Sequence, residues 1–136
     1  MVVSTLDKKG SIHNSCKGIV EIDSRGRIFL MDLYKARTFR NLQSNSRVSI
    51  TSVDEHKFKG YCLKGKARIV NADELDKDIL KAWEDKLTSR VSSRVLKNIR
   101  GEKGHLSHPE IRLPKPEYMI SVEVEDVVDL TPHNIK

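Results

Sequence analysis

At 136 residues, with 38% apolar, 32% charged and 5% aromatic residues, the chain is long enough for one domain with a buried core and too short for two of ordinary size, so a single domain over residues 1–136 is expected. Its 25 Lys and Arg outnumber 19 Asp and Glu for a net charge of +6, which favours anionic partners such as phosphates, nucleotides or nucleic acid without choosing among them. No apolar run approaches the roughly 18 residues of a membrane span, no basic-then-apolar leader opens the chain, and Cys16 and Cys62 have neither disulfide-framework nor zinc spacing, so a cytoplasmic protein with free thiols and no metal is expected.

Taken in chain order, residues 2–6 are rich in β-branched side chains and end at the turn signal Asp7-Lys8-Lys9-Gly10; residues 11–16 resume in extended form, making a hairpin. Residues 18–22, the turn Asp23-Ser24-Arg25-Gly26 and residues 27–32 read as a second hairpin. Over residues 35–45 the period changes: Ala36, Phe39 and Leu42 recur at three-residue steps, which suits a short helix lying on the sheet. Residues 47–53 and 60–70 alternate as strands, joined by residues 54–59. Leu75, Ile79, Trp83, Leu87, Val91, Val95 and Ile99 then mark a helical stretch, with Asn71 or Asp73 as N-cap and a potential break at Thr88-Ser89 and Ser92-Ser93, so one helix or two. Residues 100–116 read as a loop and residues 118–130 as a closing strand. Strands followed by helix and a last strand point to a mainly β fold, an antiparallel barrel or sandwich with added helices.

Two stretches carry the chemistry. Lys35, Arg37, Thr38 and Arg40 gather around the start of the short helix, where free N–H groups and the helix dipole favour an anion and basic or hydroxyl side chains add bonds to phosphate oxygens. Asn14-Ser15-Cys16-Lys17-Gly18 forms a second polar run at a strand end, offering the Lys17 cation and a glycine that lets backbone approach a ligand. There is no nucleophile elbow, zinc-binding His-Glu-x-x-His or Walker loop, so hydrolase chemistry is not indicated. The five histidines, among them His105 and His108, are scattered. A basic barrel that binds single-stranded nucleic acid would want aromatic platforms among its cations, and Phe29, Tyr34, Phe58 and Tyr61 are few for that role; nucleic acid is not the expected partner.

The order of these pieces resembles the FMN-binding split barrels of the pyridoxamine 5′-phosphate oxidase-like family. The resemblance is carried by Ser4-Thr5-Leu6-Asp7-Lys8-Lys9-Gly10 with His13, by Ser15-Cys16-Lys17-Gly18, by Arg37-Thr38-Phe39-Arg40-Asn41-Leu42 followed by Asn45-Ser46-Arg47-Val48, and by Gly60-Tyr61 with Leu63-Lys64-Gly65-Lys66-Ala67. It implies a split β-barrel with Greek-key-like connections and FMN as cofactor at a homodimer interface. The FMN phosphate would lie near Arg37 and Thr38 with help from Lys17, and the ring along Asn14, Ser15, Cys16 and Lys17 and against Met31 and Asp32. An FMN-dependent oxidoreductase or flavin carrier follows, with no catalytic residue assigned and no membrane partner. Related split barrels bind F420 or haem, which stand as alternatives. Thr38 replaces one of two adjacent basic residues common in the family, Gly60 stands near where the oxidase itself has a flavin-contacting glutamine, and the C-terminal Arg and Trp that grip its substrate have no counterpart. Oxidation of pyridoxamine phosphate is therefore not expected.

Overall fold

The computed structural model describes residues 1–99 and 116–135, and the side chains of all of these except residues 90–99. Seven strands, all paired antiparallel, form one sheet: β1 (Val2–Leu6), β2 (Ile12–Cys16), β3 (Gly18–Ile22), β4 (Ile28–Met31), β5 (Arg47–Asp54), β6 (Lys59–Asn71) and β7 (Tyr118–Asp129). Two helices accompany them, α1 (Arg37–Ser44) and α2 (Lys77–Ile99).

Both predicted hairpins form, and both use one device. In the first turn the Asp7 carboxylate accepts the amides of Lys9 and Ser11, each at 2.8 Å, and Gly10 takes φ +79°. In the second, Asp23 accepts the amides of Arg25 at 3.0 Å and Arg27 at 2.9 Å, and Gly26 again takes φ +79°. An aspartate that mimics the backbone and a glycine free to enter the left-handed region close each turn without strain.

The strand order is β2-β1-β5-β6-β7-β4-β3. β2 and β3 are therefore the two edges of the sheet, yet only Lys17 separates them in sequence. Two peptide steps span at most about 7 Å, so the edges must meet at Lys17, and the sheet is curled into a barrel that is split where β2 and β3 part. Val3, Ile28, Leu30, Val48, Ile50, Ala67, Tyr118, Ile120 and Val122 fill its interior together with Leu42 of α1. A second apolar cluster lies on the other face of β4 and β7, where Phe29, Met31 and Met119 meet Leu75, Ile79, Trp83 and Leu87. β4 is buried on both faces for this reason, whereas β2 alternates between exposed and half-buried residues.

Some boundaries differ from the sequence expectation. α1 begins at Arg37, leaving Ala36 exposed at the N-cap while Phe39 and Leu42 pack inward. Residues 72–74 make a single 3-10 turn, and the long helix starts after Asp76, whose carbonyl accepts the Leu80 amide; Asn71 makes no side-chain cap bond. The backbone of α2 runs unbroken through residues 88–93, because isolated Ser and Thr weaken a helix without forbidding it. The expected loop, with His105 and His108, lies outside the described residues apart from Pro116.

At the β6–β7 irregularity a side chain on Gly65 would overlap the backbone carbonyl of Glu123. Gly65→Ala should therefore lower stability by about 1–3 kcal/mol, whereas Gly10→Ala, in open space with φ +79°, should cost about 1 kcal/mol. Urea unfolding of the two variants checks this order, and a Gly65→Ala protein as stable as its parent would contradict it.

Candidate functional site

Strand periodicity divides the β2 residues between two faces. His13 and Ser15 are half-buried, whereas Ile12, Asn14 and Cys16 are exposed on the opposite face. Ser15 meets α1, its hydroxyl 2.9 Å from that of Thr38. Asn14 accepts a 2.6 Å hydrogen bond from Ser4 of the neighbouring strand. Cys16 is a free, exposed thiol.

α1 plugs one mouth of the barrel through Phe39 and Leu42, and Asn41 donates to the buried Thr5 hydroxyl at 3.0 Å. Its N-cap is Ala36, with no side-chain cap bond and no acidic residue in the first turn. Arg37 is exposed at the first helical position and makes no ion pair with another described residue, while Thr38 is only 3% exposed. Uncapped N–H groups, a free guanidinium and two converging hydroxyls together offer donors to an anion.

Lys17, at the seam between the sheet edges, points its ammonium to Asp32, with Nζ 2.6 Å from Oδ1. Tyr118 donates to the other carboxylate oxygen at 2.7 Å. The Asp32 side chain is 1% exposed and that of Lys17 14%, so the carboxylate has exchanged water for one cation and one phenol. Burial first, and then the hydrogen bond and charge of Asp32, push the Tyr118 phenol well above its ordinary pKa. Met31 packs with its side chain in the cluster under α2 and is 4% exposed.

Of the predicted residues, the fold thus brings together Ser15 with Thr38 and Lys17 with Asp32, and it puts Asn14 and Cys16 on the opposite face of β2 from Ser15. Lys35, grouped with the anion seat in the sequence, is salt-bridged to Glu117 at 2.9 Å and lies over the rings of Phe39 and Tyr118 at 5.7 and 5.9 Å. Tyr118 was not legible as a site residue: it lies 86 positions from Asp32 and reads as the first residue of a strand. A cavity of about 220 Å³ adjoins this network, lined by Asp32, Leu33, Lys35, Trp83 and Tyr118 among others. A larger cleft of about 760 Å³ opens along β1, β5, β6 and β7. Among the described residues there is no group of His, Cys, Asp and Glu that could hold a metal ion, and no helix is long and apolar enough to cross a membrane.

Comparison with known proteins places this arrangement in context. Residues 1–126 match the family described as pyridoxamine 5′-phosphate oxidase. Among solved structures the chain is similar to HupZ of Group A Streptococcus, with 19% identity, a TM-score of 0.61 and coverage of 96% of this chain and 83% of that one. It is similar to a pyridoxamine 5′-phosphate oxidase-related, FMN-binding protein of Nostoc punctiforme, with 10% identity, a TM-score of 0.61 and coverage of 94% and 72%. An F420 reductase gives 13% identity, a TM-score of 0.54 and coverage of 93% and 86%. No curated protein matches the sequence. At these identities the likeness is one of fold.

Two outcomes follow from the Lys17–Asp32–Tyr118 network. Asp32→Ala strands a largely buried ammonium and should cost about 3 kcal/mol, whereas the double change Lys17→Met with Asp32→Leu, which removes both charges, should cost much less; equal losses in urea unfolding would show that charge is not what the pair contributes. The neutral phenol of Tyr118 stabilises the fold fully below the ordinary tyrosine pKa of about 10. Stability should fall as pH rises past that value, because the unfolded chain releases the proton first. Tyr118→Phe should flatten this alkaline decline, read as the melting temperature between pH 9 and 11.

Proposed function

The chain belongs to the pyridoxamine 5′-phosphate oxidase family, and from that premise we propose that it is an FMN-binding oxidoreductase or flavin carrier that works as a cytoplasmic homodimer with flavin between the copies. The observation that carries this reading is the contact of Ser15 with Thr38 at 2.9 Å, beside Arg37 and the uncapped start of α1. It joins two strings that are 23 residues apart in sequence, and both belong to the family resemblance. Anion chemistry and family membership point to the same few residues.

In this reading Arg37 and the α1 amides hold the phosphate of FMN, with Thr38 and Ser15 adding hydroxyl contacts. Lys17 acts less directly, because its ammonium is paired with Asp32; the pair fixes the backbone at residues 16–18 and 31–32, along which the ring would lie. FMN, when bound, supplies hydride or electron transfer, and the protein supplies orientation and electrostatics. None of the residues gathered here is positioned as a general acid or base, since Asp32 has both oxygens engaged.

A second reading keeps the seat and changes the ligand. The fold likeness to an F420 reductase supports a deazaflavin, whose absorption differs from that of FMN.

Purified protein incubated with FMN and then dialysed should retain flavin absorption bands. Arg37→Ala and Thr38→Ala should each weaken FMN binding by about 1–3 kcal/mol, the range for a charge-assisted bond. Unchanged affinity in both variants would remove the phosphate from this seat, and a protein that retains no flavin would overturn the FMN reading and leave F420, haem or nucleic acid as the ligands to test.

A further inference from the structure

The cavity of about 220 Å³ beside the seam has an apolar wall of Leu33, Trp83, Pro116 and Tyr118, and three charged groups, Asp32, Lys35 and Glu117. At about 30 Å³ per water, that is room for roughly seven waters or one compact organic molecule. Asp32 is already satisfied, with Lys17 on one oxygen and the Tyr118 hydroxyl on the other. Trp83 is not. It is 2% exposed, yet its indole N–H makes no hydrogen bond with any described residue, whereas a buried indole N–H ordinarily has an acceptor. Lys35 and Glu117 meet at 2.9 Å with both side chains largely exposed, a pairing that contributes little in water. Lys35 is also held over the rings of Phe39 and Tyr118, while the Glu117 carboxylate bonds to no other described side chain. Glu117 is therefore free to turn to solvent while Lys35 stays in place.

The cavity thus holds a donor without an acceptor, a cation whose partner is replaceable, and an apolar wall. A cationic ligand would face Lys35 and find Asp32 already neutralised. A hydrocarbon would leave the indole N–H unbonded, and a bare inorganic anion would gain nothing from the apolar wall. A carboxylate carried on an apolar frame meets all three groups, and concave apolar sites with a few placed polar groups are the ordinary form of small-ligand pockets. We propose that this cavity binds a small organic acid, its carboxylate accepting from the Trp83 N–H and pairing with Lys35 in place of Glu117, and its apolar body lying against Leu33, Pro116 and Tyr118. None of Ser15, Arg37 and Thr38 lines the cavity, so the inference goes beyond the flavin reading and does not require it.

Trp83 is the only tryptophan of the chain, so its indole N–H gives a single, self-assigned signal in a proton–nitrogen correlation spectrum of the full chain. Benzoate is the probe. It should move that signal saturably, while acetate, which lacks the apolar body, and benzamide, which lacks the charge, should each bind more weakly by about tenfold or more. Lys35→Met should weaken benzoate binding by a similar factor, and Glu117→Gln, which removes the competing carboxylate, should strengthen it. Both changes are at exposed positions and should leave cooperative melting as in the parent. An indole signal that benzoate leaves in place, equal affinities for benzoate and benzamide, or a Lys35→Met protein that binds benzoate like the parent would each overturn the proposal. FMN retention is measured separately on the same proteins. A chain that retains FMN and ignores benzoate sinks this inference alone, and one that binds benzoate as described but retains no flavin sinks only the flavin reading.

Discussion

One residue has to carry the chain from one edge of the sheet to the other. Lys17 is all that separates β2 from β3, and those strands are the outermost of seven. With the other strands paired as they are, this link requires the two edges to meet, so the sheet must curl. The Lys17–Asp32 pair and the Tyr118 phenol then tie the seam to the end of β4 and the start of β7, across the same interior that Leu30, Ile50 and Ile120 fill. A buried carboxylate of this kind is a poor source of net stability compared with an apolar replacement of both partners. Its value is geometric, because an aspartate with two engaged oxygens admits few alternative arrangements of the three segments it joins.

The candidate anion seat follows from the same closure. Ser15 precedes Lys17 by two positions and so leaves β2 on the face that meets α1, while Asn14 and Cys16 leave it on the other. α1 is brought there by Phe39 and Leu42, which have nowhere apolar to go except the barrel interior. Its first turn must then lie near β2, and Thr38 reaches Ser15. The hydroxyl pair, the free guanidinium of Arg37 and the uncapped amides are thus consequences of where two apolar side chains go. The absence of an acidic first-turn residue in α1 points the same way, since an ordinary surface helix gains stability from one.

The sequence was most legible where local chemistry decides structure. The two Asp-to-Gly turns, the alternation of β5 and β6, and the four-residue spacing of Leu75, Ile79, Trp83 and Leu87 each determine their element with neighbours close in the chain. A basic helix start is an unusual and therefore informative pattern, and of the residues it and the polar run at β2 single out, the fold brings Ser15 to Thr38 and Lys17 to Asp32. What could not be read depends on distant partners. Nothing near Asp32 announces Tyr118, and nothing near Lys17 announces that its charge will be spent on a carboxylate instead of a ligand. α1 starts two residues later than the apolar period suggests, because Ala36 fits that period equally well inside the helix or at its cap; only the packing of Phe39 and Leu42 decides.

The placement of α2 settles which part of the outer surface is left for other molecules. Trp83 and Leu87 cover β4 and the start of β7, so the outer face there is core and has no freedom to vary. β1, β2, β5 and most of β6 receive no such cover, and their outward residues mix polar or charged side chains, including Ser4, Asn14, Ser49, Lys64 and Lys66, with the exposed apolar Val2, Ile12 and Val53. A half-covered sheet must either solvate its open face or present it to a partner. Solvation alone would be served by interspersed charges that pair across strands, as exposed antiparallel sheets commonly do. On this sheet the cations stand on β5 and β6 and the acids on β7, and Arg47, Lys64, Lys66, Glu123, Glu125 and Asp126 make no ion pair with any described residue, so this face is solvated charge by charge and not by cross-strand pairs.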